Sequence, residues 1–135
     1  MNLKDLRVNL KTIKAPFPGL DGFVVDVNYI TRETSTKLQE DSMVTAIDPK
    51  LKMPVEELDK GKFLEKFCEA AIKGWSGLKY KYLEQLLLVD LSSVPNIEDE
   101  MEYTKEDAVE LIKGSQAFDR WINEVIFDLE RFRGK

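Results

Sequence analysis

One stretch constrains the chain more than any other: Gly61 to Leu78, GKFLEKFCEAAIKGWSGL. Phe63, Phe67 and Ala71 recur every four residues, and Leu64, Cys68, Ile72 and Trp75 form a second row beside them. An α-helix turns once in about 3.6 residues, so the two rows merge into one apolar stripe, with Lys62, Glu65, Lys66, Glu69 and Lys73 opposite. Gly74 follows the last lysine and is suited to the left-handed conformation that stops a helix. Trp75 then falls just past the stop. The expected element is a central core helix ending in a packed tryptophan, and it carries no catalytic motif.

A chain of 135 residues that is 43% hydrophobic and 33% charged is long enough for one globular domain, residues 1–135, with a core that needs no disulfide or metal. Its net charge of −5 argues against a broad nucleic-acid footprint, which requires clustered Lys and Arg. The single cysteine, Cys68, lies on the apolar stripe and has no partner for an intrachain disulfide, which suits a reducing cytoplasm. The start, MNLKDLRVNLK, lacks the continuous apolar run of a signal peptide, and no run approaches bilayer-spanning length, so no membrane partner is expected.

Along the chain, Leu6, Val8 and Leu10 alternate with polar residues as a half-buried strand would, while Leu3, Leu6 and Leu10 equally fit a short helix. Ala15 to Gly22, APFPGLDG, reads as turn material. Phe23 to Ile30, FVVDVNYI, is the clearest strand signal, with Phe23, Val25, Val27 and Tyr29 on one face. Thr31 is placed to cap a polar helix from Arg32 to about Val44. Ala46 to Pro54 reads as a connector, with Val55 or Glu56 starting the central helix early. Tyr80 to Val89, YKYLEQLLLV, suggests a short buried helix, and Asp90 to Glu102 an acidic loop. Thr104 caps a helix over Lys105 to Lys113, and Ser115 caps a last one over Gln116 to Phe132. In that helix Phe118, Trp121, Ile122, Val125, Ile126, Leu129 and Phe132 keep helical spacing, while Phe127 falls off the stripe. No internal repeat or low-complexity segment is present.

Much chemistry is missing. Without histidine there is no His-based triad, imidazole zinc site or ordinary neutral-pH general base. Cys68 sits among apolar residues near Glu65 and Glu69, surroundings that raise a thiol pKa rather than activate it. Gly74 to Gly77 lacks the Lys-Ser or Lys-Thr of a phosphate-binding loop. The run Glu98, Asp99, Glu100 and Glu102 lacks the alternating ligands and central glycine of a calcium loop. No catalytic residue, metal site or cofactor is expected, and the chain reads as a binding protein rather than an enzyme. A carboxylate-dependent hydrolase or nuclease would instead require acids converging in a cleft.

The order of parts resembles the tail assembly chaperones of long-tailed (siphovirus) bacteriophages. The matching pieces are PFPGLDGFVVDVNYITRE, the block IKGWSGL at Ile72 to Leu78, a Leu-rich piece with an acidic loop, and YTKEDAVELIKGSQAFDRWI at Tyr103 to Ile122. Trp75, Gly77, Thr104, Glu106, Leu111 and Phe118 occupy the family's recurrent places. The resemblance implies a protein of the host bacterial cytoplasm, absent from the mature virion, that binds the tape measure protein and keeps it soluble while the tail tube polymerises around it. It also implies self-association into a homo-oligomer. A longer frameshifted form would reach the tail tube protein. Gly134 and Lys135 are residues that a G-rich then A-rich slippery run would encode, and codons without such a run would end that idea. The competing reading is a head–tail joining or tail completion protein retained in the particle.

Together these readings predict a mainly α fold of four or five packed helices, with a helical body at 31–135. A short N-terminal hairpin or strand pair occupies 1–30. The expected core includes Phe63, Phe67, Ile72, Trp75, Leu111, Phe118, Trp121, Ile122 and Val125. Phe17, Phe23, Val25, Tyr29 and Phe127 are the expected contacts for a partner or a second copy, through the 23–30 strand edge, the proline-rich turn and one exposed aromatic.

Overall fold

The strand Val24–Asn28 (β2) organises the molecule, because it pairs on both sides. The computed structural model describes residues 1–8 and 11–133, so Leu10 and the Gly134-Lys135 pair lie outside the described residues. Thr12–Pro16 (β1) pairs antiparallel with one side of β2, Ala15 facing Val25 and Ile13 facing Val27. Ile72–Ser76 (β5) pairs antiparallel with the other. Phe23, Ala15, Val25, Val27, Ile72 and Trp75 are buried, while Thr12, Lys14, Pro16 and Ser76 are exposed. This is the one-sided alternation of an antiparallel sheet with a single covered face.

The mainly α expectation is overturned. The protein is mixed α/β, 44% helical and 21% strand, with antiparallel sheets of three and two strands. The largest correction falls on the central helix. The helix Lys60–Ala71 (α3) ends before Ile72, and the chain passes directly into β5. Asp26 pairs with Gly74 and Val27 with Ile72, so Lys73 is an extra residue, a β-bulge. The bulge puts Ile72 and Trp75, three positions apart, on the same covered face. That spacing imitates a helical stripe, and it is why a helix was expected there. Gly74 is no helix stop; it sits opposite Asp26 in the sheet.

Other boundaries shift for local reasons. Leu3–Leu6 (α1) is a single helical turn closed by a capping box between Asn2 and Asp5, and it buries nothing. The first strand lies later than expected and takes in Ala15 and Pro16. The turn proper is Phe17 to Phe23, closed by the Phe17 N–H donating to the Phe23 carbonyl at 2.9 Å. Arg32–Asp41 (α2) begins at the expected Thr31 cap but stops early. Buried Ser42 turns its hydroxyl back onto the Leu38 carbonyl at 2.7 Å, a bond that competes with helix continuation. Met43–Ile47 (β3) and Pro54–Leu58 (β4) then form a separate hairpin where a connector and an early helix start were expected.

The Leu-rich segment divides into a 3₁₀ turn at Tyr80–Tyr82 and the short helix Leu83–Leu86 (α4). Lys105–Gly114 (α5) and Gln116–Ile126 (α6) follow, capped by Thr104 and Ser115. The last helix stops at Phe127. Asp128 takes the Glu130 N–H, and Leu129–Phe132 continues as a 3₁₀ turn. All the expected core residues are buried except Phe63, which is half-buried at the start of α3 and stacks on Phe67 with 6.1 Å between ring centres. Phe118, Ile122 and Val125 of α6 are fully buried, as its amphipathic spacing required. Among the described residues no helix is long and apolar enough to cross a membrane.

Candidate functional site

An apolar concavity lies between β5, α4 and α5. It has a volume of about 170 Å³ and is lined by Trp75, Leu78, Leu83, Leu87, Val89, Met101 and Leu111, with Asp107 and Glu110 also lining it. Each wall has a sequence origin. Trp75 comes from the bulged strand, and its indole N–H donates to the Met101 carbonyl at 3.0 Å. Its ring meets Tyr103 edge-on at 5.0 Å, and the Tyr103 hydroxyl donates to the Ile72 carbonyl at 3.2 Å. Met101 is held by its N–H to the Leu78 carbonyl at 2.7 Å. Gly114 supplies space: a Cβ there would lie 2.6 Å from Leu87 Cδ2. On α5, Asp107, Glu110 and Leu111 share one face because they are three and four residues apart.

The acidic loop beside the cavity is tied down. The Tyr80 and Lys81 amides donate to the Asp99 and Ile97 carbonyls, and Glu100 accepts the Gly77 N–H at 2.9 Å. Glu98 lies 3.4 Å from Lys79 and 2.9 Å from Lys81. The Lys81 hydrogen bond holds the Glu98 carboxyl below its usual range. Among the described residues, no group of three or more His, Cys, Asp or Glu side chains is arranged to hold a metal ion. Cys68 is buried, and its thiol is pushed up to about 12, chiefly by that burial and then by Asp119, against the opposing effect of Lys105. The expected apolar surroundings are thus the leading cause, while Glu65 and Glu69 are not among the causes; Glu69 pairs with Lys105 at 2.7 Å.

The five expected contact residues do not share a surface. Phe23 and Val25 are 0% exposed, a correction to their place at an interface: their strand face is the one the protein covers with its own helices. Phe17 is half-buried in an aromatic cluster, 4.9 Å from Trp121 and 5.7 Å from Phe23 between ring centres. Tyr29 packs on Phe132 at 5.2 Å and lines a second hollow with Arg7, Val8, Lys11, Thr31 and Leu129. Phe127 is exposed, alone of the five. Sequence reasoning missed the cavity's Leu83, Leu87, Val89 and Met101. One signal was present: LLLV holds more large apolar side chains than one short helix can bury, and Leu88 is wholly exposed beside Leu87.

The cavity is lined by no Ser, Thr, Cys or Lys side chain and no imidazole. Its apolar walls and volume of about 170 Å³ leave room for an apolar group of about benzene size. The carboxylates beside it favour a positive charge next to that group. The arrangement suits a leucine or phenylalanine of another chain with a Lys or Arg one helical turn away. Comparison with protein-family models, curated proteins and solved structures finds no match to this chain.

Proposed function

We infer that this protein works by binding another polypeptide and catalyses no covalent step. The more specific reading is a phage tail assembly chaperone that holds the tape measure protein in the host bacterial cytoplasm, self-associates and is left out of the virion. The observation that carries the binding role is the cavity beside Trp75, apolar within and flanked by Asp107 and Glu110. The resemblance of IKGWSGL and YTKEDAVELIKGSQAFDRWI supplies the identity of the client.

Co-expression with a tape measure protein tests the reading. The client gains solubility and co-purifies with this chain, and Glu110→Lys weakens the association by reversing charge beside the cavity. A client that stays insoluble and does not co-purify sinks the chaperone reading. Mass spectrometry that finds the chain in purified virions favours the head–tail joining alternative instead.

A further inference from the structure

The hairpin of β3 and β4 is built unlike the rest of the protein. Its two strands pair only with each other, with Met43 facing Leu58, Thr45 facing Glu56 and Ile47 facing Pro54. Met43, Ile47, Leu51, Met53 and Leu58 are all exposed, Ile47 at 66%. A lone two-stranded ribbon is marginally stable in water and gains from a third strand.

The sheet edges differ in how they are guarded. Edge β1 carries Lys14 and Pro16, with Lys14 bound to Asp26 at 3.0 Å. The edge of β5 is covered by the 100–103 segment, through the Tyr103 hydroxyl on Ile72 and Glu100 on the Gly77 amide. Strand β4 carries Pro54, Glu56 and Glu57. Strand β3, MVTAI, carries no charge and no proline, and among the described residues its backbone makes no hydrogen bond beyond its pairing with β4. Charges and prolines are the devices that keep sheet edges from pairing with other chains, and among the described strands β3 is the edge without them.

We propose that β3 is an assembly edge that pairs antiparallel with β3 of a second copy about a two-fold axis at Thr45, fusing two hairpins into a four-stranded sheet. The pattern of charge selects a second copy as the occupant. About that axis Met43 of one copy lies opposite Ile47 of the other, Val44 opposite Ala46, and Thr45 opposite its equivalent, so no charges meet. The same operation on β4 would set Glu56 against Glu56 and use Pro54, which has no N–H to give. A two-fold contact of this kind closes at two copies and leaves no free end to grow a fibre. Strand pairing alone buries little surface, so the dimer is weak and concentration-dependent. The assignment deepens the self-association of the proposed function by giving it a surface, and it is independent of client binding, because the hairpin lies outside the cavity.

Sedimentation equilibrium on the full chain, with amide hydrogen exchange at low and high protein concentration, tests it. The wild type dimerises as concentration rises, and amides of 43–47 gain more protection than those of 54–58, which gain only what a steadier ribbon gives. Thr45→Lys weakens dimerisation roughly tenfold or more by placing two lysines at the axis. Thr45→Glu does the same, and an equimolar mixture of the two variants recovers the association as a heterodimer. That recovery separates charge repulsion from a damaged hairpin. The proposal fails if the wild type stays monomeric at hundreds of micromolar, or if Thr45→Lys dimerises as the wild type does. It also fails if the mixture recovers nothing, or if 43–47 gains protection only when a client peptide is added.

Discussion

The three-stranded sheet and the hairpin use similar strands for opposite ends. Both are antiparallel, and both are built of five-residue strands. In the sheet, Phe23, Val25, Val27 and Ile72 are sealed beneath α3 and α6. In the hairpin, Met43, Ile47 and Leu58 remain open to water. Composition does not make this difference, since MVTAI holds four apolar residues in five and VVDVN three. Helices packed on one face of the sheet make it, where the hairpin has none over its exposed residues. An apolar strand is therefore core or contact according to what packs on it, and its own letters do not decide which.

Substitutions break or sharpen that contrast. Phe118→Ala removes a fully buried ring packed on Phe23 and Trp121, and should cost about 3–5 kcal/mol in urea unfolding. A cost below about 1 kcal/mol, ordinary for a surface change, would place α6 outside the core.

Gly77→Ala comes next. Its φ is +74°, and a Cβ there would lie 1.9 Å from the Gly22 carbonyl oxygen, so the loss should exceed about 1 kcal/mol. Gly114→Ala should cost less, because its added Cβ meets only the mobile end of Leu87. Equal losses for the two glycines would show that the β1–β2 turn yields more easily than its geometry implies.

The two tryptophans sharpen the contrast within the core. Trp75→Phe gives up the bond to the Met101 carbonyl and should cost about 1 kcal/mol more than Trp121→Phe, whose buried indole N–H has no partner among the described residues. A thermal scan that ranks them the other way contradicts this account.

Cys68 gives a pH signature of burial. Its thiol pKa is raised on folding from an ordinary 9.0 to about 12, so the folded state holds its proton more tightly. The contribution is fully present below pH 9 and is lost as pH climbs from about 9 toward 12. Native protein at pH 8 should resist alkylation until denatured, and prompt labelling would overturn that burial. The smallest effect belongs to the hairpin: Ile47→Ala in the monomer should shift stability by no more than about 0.5 kcal/mol. A loss as large as that of Phe118→Ala would mean that the hairpin folds as part of the core.

Caps and amphipathic faces were legible in the sequence. Thr31, Thr104 and Ser115 each accept an amide hydrogen bond at a helix start, and the stripe of α6 faces inward through Ile126. Strand β2 and its inward residues were legible too, although their burial removed Phe23 and Val25 from the contact surface. What failed was periodicity wherever two structures share it. With a bulge at Lys73, Ile72 and Trp75 keep a helix's spacing in a strand. The hairpin is masked in the sequence because Pro49 and Pro54 bracket its tip and read as a connector, although Val44, Thr45 and Ile47 are β-branched. Of the candidate cavity, Trp75 and Leu111 were legible as core residues. Its closure depends on Met101 folding back onto Leu78, a contact that no local pattern encodes.

The direct passage from α3 into β5 leaves no slack at Ala71 and Ile72. One residue inserted there would rotate the helix by roughly 100° against the sheet, or reverse every side chain of the strand, turning Trp75 outward. Insertions should thus be tolerated at the 48–53 tip and rejected at this junction, a difference that a scan of single-codon duplications would read directly.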